Sequence, residues 1–597
     1  MENQDSSSFS SLRAYGQALA QTTGRLRRRA MSVTTTYEEM SRVRARSGAD
    51  MQSTLRWPSL VGLGIGGMVG AGIFVTTGHA ARSYAGPAVV LSYAIAGLCA
   101  LLSAFCYTEF AVEMPVAGGP SATSDLYRRC SPVSPSSLTY LEFNSSSAGE
   151  FAAFMTGANL VTEYVLSNAA VARSFTAYLG TALGIDTTTR WRIAVAGLPE
   201  GFDELDFLAV GVVLAISLCI CHSTKESSVL NMVLTGIHLL FILFIIVVGF
   251  WRGDAGNFTH PAEPAIHPGG FLPYGIGGVF NGAAMVYLSY IGYDAVATMA
   301  EEVETPTRDI PIGVSGSVAI VTLLYCLVAS SLSMLVPYDA IDEESPFSAA
   351  FESSDGWRWA SNVIGAGACF GILTSLMVAM LGQARYLCVI GRSNVVPSWF
   401  AQVHPATFTP TFTPVNALAF LGVLTAAIAL FTDLSVLLNL VSIGTLFVFY
   451  MVANAVVYRR YVTAGTTSPR PTAAFLSTFS SVALLFTLVW RFASPGRAKS
   501  ALLCGCAAAA LLAVQVFQFS VPQTRKPEFW GVPLMPWLPA LSIFLNVFLL
   551  GSLDALAMAV YVFYSVHASF DAEENGRLAA KEGGHHPHSP AAPKIAA

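Results

Sequence analysis

Charge is scarce in this chain: of 597 residues only 12% are Asp, Glu, Lys or Arg, whereas 53% are hydrophobic and the mean hydropathy is +0.56. That balance excludes an ordinary water-soluble domain. Paired cysteine spacings are missing too, since the ten cysteines form no CxxC pair and no Cys/His ligand pattern, and all but Cys130 lie in or beside apolar runs. Reduced thiols, no structural metal and no cofactor are expected. Met1 to Arg56 lacks an apolar h-region and is polar and rich in Ser and Arg, so no cleavable signal peptide is read there. The net charge of −5 is spread over loops and tails of differing sign and leaves no footprint for nucleic acid.

What fills the chain instead is apolar runs. A membrane span needs about 20 apolar residues, and hydropathy places thirteen or fourteen spans between Trp57 and His567. The partner of most of the chain is therefore the lipid bilayer. The expected fold class is an all-α polytopic membrane protein. Residues 1–56 form an Arg-rich tail, 57–457 a ten-span core, 458–567 additional spans and 568–597 a flexible tail. Arg25, Arg27, Arg28, Arg29, Arg42, Arg44 and Arg46 should hold the N-terminal tail in the cytoplasm. Alternation then puts Lys225, Arg308 and Arg460 on that side, and the acidic loops at 200–204 and 339–344 opposite. Asn257-Phe258-Thr259 falls in an expected outer loop, where glycosylation could occur.

The first span contains VGLGIGGMVGAGIF, with six glycines in fourteen residues. Glycine disfavours a helix interior by about 1 kcal/mol relative to alanine. Two explanations stand. The helix unwinds at Gly70-Ala71-Gly72-Ile73 and aims freed amides at an anionic group, or Gly62, Gly66 and Gly70 let a neighbouring helix pack closely. The sixth span favours unwinding, because Ser289-Tyr290-Ile291-Gly292-Tyr293-Asp294 also interrupts an apolar run with glycine and a carboxylate. Interrupted spans at matching positions in two five-span halves point to a midplane site in a secondary transporter. Amides for a carboxylate and carbonyls for an ammonium describe an amino acid.

The segments GIGGMVGAGIFV, GPAVVLSYAIAG, CYTEFAVEMPVAGG, EYVLSNAAVARSF, YIGYDAVATMAEEVETPTRDIPIG and GQARYLCVIGRS resemble the plant cationic amino acid transporters of the amino acid-polyamine-organocation superfamily. The resemblance runs from about Trp57 to Ala572. It implies a leucine-transporter-like 5+5 inverted repeat with extra C-terminal spans, and no enzymatic activity. It also implies transport of arginine, lysine and related amino acids into the cytosol by alternating access, driven by protons or the membrane potential. A broader neutral and cationic transporter, or a non-translocating amino acid sensor, are the alternatives. The Arg-rich tail is most similar to the plasma-membrane branch, with the tonoplast as the other expectation.

Carried over by position, Gly70, Ala71, Gly72 and Ile73 would bind the substrate carboxylate, and Leu288, Ser289 and Ile291 its α-amino group. Glu109 in CYTEF matches a glutamate that the family needs, the alternative being a structural partner for a nearby donor. Glu163 would attract the cationic side chain or else brace the bundle; it sits about 15 Å along a helix from Arg173, so each needs its own partner. Gly292 and Asp294 are structural candidates at the break, with Asp294 able to cap the second half-helix. His238 lies mid-span where bacterial relatives carry a lysine linked to proton coupling. Its unperturbed pKa of about 6.5 suits proton loading, although a backbone-bonded neutral histidine is the alternative. Two departures stand out: the Ser/Pro-rich insertion at 120–148 and the short last run, Ala555 to His567.

Overall fold

A half-helix ends wherever its next backbone groups find partners outside the helix, and this chain uses that freedom twice. In the computed structural model the described residues are 56–113, 150–184, 191–195, 201–222, 224–293, 303–352, 358–392, 398–401, 404–405, 412–413, 415–462, 467–468, 470–494, 496–527 and 530–552. Asp294, the 120–148 insertion, the 555–567 run and both tails lie outside them.

Helix α1 (Trp57–Met68) begins with Pro58 in its first turn, where a missing N–H breaks no bond. After Val69 and Gly70 the chain resumes as α2 (Ala71–His79), then a π-helical turn (Ala80–Ala85), and these form the first span. The second and third spans are α3 (Val89–Glu113) and α4 (Glu150–Leu183). A small hairpin follows, β1 (Arg192–Ala194) antiparallel to β2 (Glu204–Asp206), with Arg192 opposite Asp206. Asp206 also caps α5 (Phe207–His222), accepting from the Ala209 N–H at 2.9 Å. The fifth span is α6 (Thr224–Arg252), and the sixth starts as α7 (Gly275–Val286) and tightens into a 3-10 turn over Tyr287–Tyr290.

The second half runs through α8 (Pro306–Leu335), the short α9 (Pro346–Glu352) and α10 (Arg358–Arg392). A two-residue ladder, β3 (His404–Pro405) with β4 (Phe412–Thr413), precedes α11 (Val415–Phe431) and α12 (Leu434–Tyr461), the ninth and tenth spans. Helices α13 (Arg470–Phe492), α14 (Arg497–Ser520) and α15 (Trp537–Ser552) come after the core. Aromatic rings join α13 to α14, with Phe475 and Phe517 stacked at 4.0 Å, and α14 to α12, with Tyr461 against Phe517 at 4.5 Å.

Among the described residues six helical stretches are long and apolar enough to cross a membrane by length and composition, and four shorter apolar helices accompany them. The thirteen or fourteen expected runs do not all reach that length. The breaks split the first and sixth spans, and α5 and α15, at 16 residues each, cover only about 24 Å. The most apolar stretch of α12 is 72% buried, against 28% and 22% for α13 and α14. The tenth span is interior, whereas the eleventh and twelfth are largely exposed.

The main packing between spans follows a rule: adding five to each number reproduces these pairs. Span 2 lies on 7, 3 on 8 and 4 on 9; span 2 against 6 is matched by 7 against 1, and 3 against 10 by 8 against 5. The pairs 5 with 7 and 10 with 2 correspond in the same way. Five is odd, so the second half threads the membrane in the opposite sense, and the relation is an inverted repeat. Charges segregate with the span order. Arg56 meets Glu304 at 2.7 Å at one end, while Arg173, Arg192, Glu204, Asp433 and Glu344 gather at the other. Asn257 is part-buried and donates its side-chain amide to the Met334 carbonyl at 2.8 Å, so the expected glycosylation nitrogen is already engaged.

Candidate functional site

The first break is shorter than the sequence suggests. Only Val69 (φ −75°, ψ 85°) and Gly70 (φ −142°, ψ −143°) leave the helical region, and Ala71, Gly72 and Ile73 form the first turn of α2. No side chain caps that turn. Its leading amides are therefore the unsatisfied donors of a helix N-terminus, carrying the positive end of the dipole. The four residues proposed for a carboxylate thus stay together, as one non-helical residue and three helical ones.

The second break faces the first. The turn Tyr287–Tyr290 is followed by extended Ile291 (φ −62°, ψ 132°) and by Gly292 at φ +126°, a conformation that side chains rarely adopt. Gly67 lies against Gly292, since a Cβ on Gly67 would sit 2.8 Å from the Gly292 carbonyl oxygen. Likewise a Cβ on Gly72 would lie 2.7 Å from Ser289 Cα. Two glycines of the first span are thus in backbone contact with the second break. Gly62 plays no such part, because a Cβ there would meet nothing within 4 Å.

Hydroxyls knit the two breaks together. Thr76 contacts Ser289 Oγ at 2.9 Å and donates to the Gly72 carbonyl, and Tyr93 of α3 reaches both Thr76 (3.2 Å) and Thr77 (2.7 Å). Tyr325 of α8 donates to the Ser289 carbonyl at 2.8 Å, and the Ile291 N–H donates to the Leu288 carbonyl at 3.1 Å. Each of these carbonyls keeps a second lone pair for an ammonium. Ser375 of α10 closes the side of the first break, where a Cβ on Gly70 would approach its Oγ to 3.0 Å. Sequence reasoning missed Thr76, Tyr93, Tyr325 and Ser375. Thr76 had a faint signal, one turn beyond Gly72.

The ionisable candidates are placed differently. His238 is buried on α6 against Phe74 of α2, ring centroids 5.1 Å apart, and its Nε2 has no hydrogen-bond partner among the described residues. It stands beside the first span's outer half, with Gly371 of α10 close against the ring. Glu163 is held against α12, where Thr445 donates to its Oε1 at 2.6 Å. Arg173 reaches a separate set: the Thr432 carbonyl at 2.6 Å and Asp433 at 3.3 Å. The two residues therefore do not pair, as the spacing required.

Glu109 lies toward the far end of α3 from Tyr93. Sixteen residues separate it from Tyr93, about 24 Å of helix. Its carboxylate is gripped by Arg460 through two bonds, Nε at 2.6 Å and a terminal nitrogen at 2.8 Å, and by the Val532 N–H at 2.7 Å. The pair is buried. Its geometry is that of a brace between spans 2 and 10 and the segment before α15, the arrangement described by the structural alternative for Glu109.

A loop between α8 and α9 crosses the opposite end. Glu343 takes His79 at 3.0 Å and Ser83 at 2.6 Å, while Glu344 takes Arg192 at 2.6 Å, so adjacent residues tie the end of α2 to the β1–β2 hairpin. Burial raises the Glu343 carboxyl, but the bonds from His79 and Ser83 and the charge of Arg82 outweigh it, leaving it below its ordinary 4.5. A depressed pKa contributes stability fully above 4.5 that disappears as pH falls through the lowered folded value. Amide exchange of the 338–345 loop, corrected for intrinsic rates, is expected to quicken only below that range. Glu343→Gln should exchange quickly at every pH; slow exchange in that variant would contradict the tie.

Comparison with known proteins bears on this geometry. The amino acid permease family matches residues 55–503, and the C-terminus of that permease family matches 530–569. "Cationic amino acid transporter 7, chloroplastic" of Arabidopsis thaliana is 62% identical over 96% of this chain and 96% of its own length. "Cationic amino acid transporter 6, chloroplastic" of the same plant is 62% identical over 97% and 96%. "Cationic amino acid transporter 1" is 41% identical over 97% and 94%. Relatives at 62% identity that are chloroplastic overturn the expectation of a plasma-membrane or tonoplast protein. The reason is compositional: a Ser- and Arg-rich leader is also what organelle-targeting segments carry, so the tail did not discriminate.

Proposed function

The chain belongs to the amino acid permease family and, within the amino acid-polyamine-organocation superfamily, to the cationic amino acid transporters, and from that premise we propose that it carries arginine, lysine and related amino acids by alternating access. Its activity is amino acid transport and not an enzymatic reaction. The observation that carries the reading is the contact between Gly72 and Ser289, which sets the amide end of α2 against the carbonyls of the sixth-span break. The amides of Gly70 to Ile73 take the carboxylate, and Leu288, Ser289 and Ile291 offer carbonyls to the ammonium. Residues 57–457 form the transport core, and 458–567 are additional spans that hold it.

The cationic preference is supported by the names of the relatives at 62% and 41% identity. The chloroplastic relatives support a chloroplast membrane as the site of action. The direction of transport then follows the electrical and amino acid gradients across that membrane. A cationic substrate draws about 2.3 kcal/mol per 100 mV of potential, so accumulation on the negative side needs no coupled ion. Protons are the proposed coupling ion where coupling exists, with His238 as the carrier.

Radiolabelled arginine uptake into proteoliposomes, with competition by neutral amino acids and varied pH, tests this. Saturable arginine uptake that lysine competes away and glutamine does not is the expected result; equal competition by glutamine would reject the cationic preference. In the same assay His238→Ala should make uptake independent of a pH gradient that accelerates the wild type. A variant that still responds to the gradient rules out the coupling role.

A further inference from the structure

A carbonyl at the end of a helix inside an apolar bundle is costly to leave without a donor, and it carries the negative end of the helix dipole. Two of them converge on one atom here. Met68, the last residue of α1, and Ser289, in the turn that closes α7, each direct a carbonyl oxygen at the hydroxyl of Tyr325, at 2.7 and 2.8 Å. Tyr325 is fully buried on α8, and its ring is wedged between those of Tyr93 and Tyr290, each 5.3 Å away. Tyr290 is in turn fixed by its hydroxyl to the Tyr93 carbonyl at 2.8 Å.

Broken helices commonly converge such carbonyls on a small cation. A phenol has a single hydrogen, so here one neutral donor is shared between acceptors from opposite halves of the repeat. We propose that Tyr325 is a positioning residue that holds the two helix breaks in register for the substrate and occupies the place where a small monovalent cation would otherwise bind. The inference rests on reading the breaks as the amino acid site. Its reach is short and direct, because Ser289 also touches Gly72 and Thr76, so any shift of the Ser289 carbonyl is felt at the first turn of α2. Removing only the hydroxyl leaves the ring and both carbonyls in place, two converging oxygens without a donor that a small cation can satisfy in its stead.

The test is arginine uptake by purified full-length wild type and Tyr325→Phe in proteoliposomes, in choline, sodium and lithium salts, normalised to monodisperse protein. Wild type is expected to behave alike in all three. In choline the variant's KM should rise about 10-fold, in keeping with two buried acceptors losing their donor, and sodium or lithium should recover part of that loss. A variant equal to wild type in choline overturns the positioning role. A loss identical in all three salts overturns the cation replacement. Should the variant not fold, a sodium requirement in the wild type still overturns the cation replacement. Absence of saturable amino acid uptake by folded wild type sinks the transport reading itself, and this inference with it, an outcome distinct from a loss confined to the variant.

Discussion

Replacing Gly72 with valine is expected to lower saturable amino acid uptake about 100-fold or more, a loss within what overpacking a closely fitted contact costs. A Cβ at this position would lie 2.7 Å from Ser289 Cα and 3.2 Å from its Cβ, so the obstacle is backbone and cannot rotate away. Either α2 or the sixth-span turn must retreat. Both movements part the amides from the carbonyls of the proposed site. Gly72→Ala should act in the same direction, since the first added carbon already collides. Gly62→Ala, placed in open space, should transport like wild type. Uptake measured against the amount of protein in the membrane checks this, and full activity of the valine variant would remove the substrate role from the first break.

Arg460→Leu alone should destabilise the protein by about 3–5 kcal/mol, because a buried carboxylate then loses its counter-charge. Glu109 would retain only the Val532 N–H among the partners described for it. Replacing both residues with leucine is expected to recover much of that loss, since an apolar pair of similar volume is often nearly neutral relative to a buried ion pair. Thermal unfolding of the detergent-purified protein, for the two single variants and the double, measures the coupling. A single variant that melts with the wild type would show that the pair does not brace the bundle. If Glu109 instead contacted substrate, the double variant would regain no activity however well it folded.

The helix breaks were legible because glycine density is a local property, and their matching positions pointed to two five-span halves, while the inverted relation of those halves was implied by the family resemblance. Their exact shape was not. A helix N-terminus needs only its cap residue to leave the helical region, so Ala71 to Ile73 remain helical, and the sixth-span distortion begins at Tyr287, before the first polar signal at Ser289. Glu109 and Glu163 stood out as carboxylates in apolar runs, but their partners Arg460 and Thr445 lie in the tenth span, and no local pattern announces such a pairing. Tyr325 is harder still. A tyrosine in an apolar helix looks like any aromatic of the core until the two carbonyls it joins are seen.

The rule that adding five reproduces the packing has an energetic meaning. If either half can adopt the shape now held by the other, exchanging the shapes builds a second arrangement from nearly the same set of contacts, opening toward the opposite side. The two arrangements are then close to degenerate. Near degeneracy lets a substrate with only a modest preference for one state redistribute the population between them, and it frees the cycle from any need for a large internal energy source. The brace of Glu109 and Arg460 joins spans 2 and 10, a pair that the rule relates to 7 and 5.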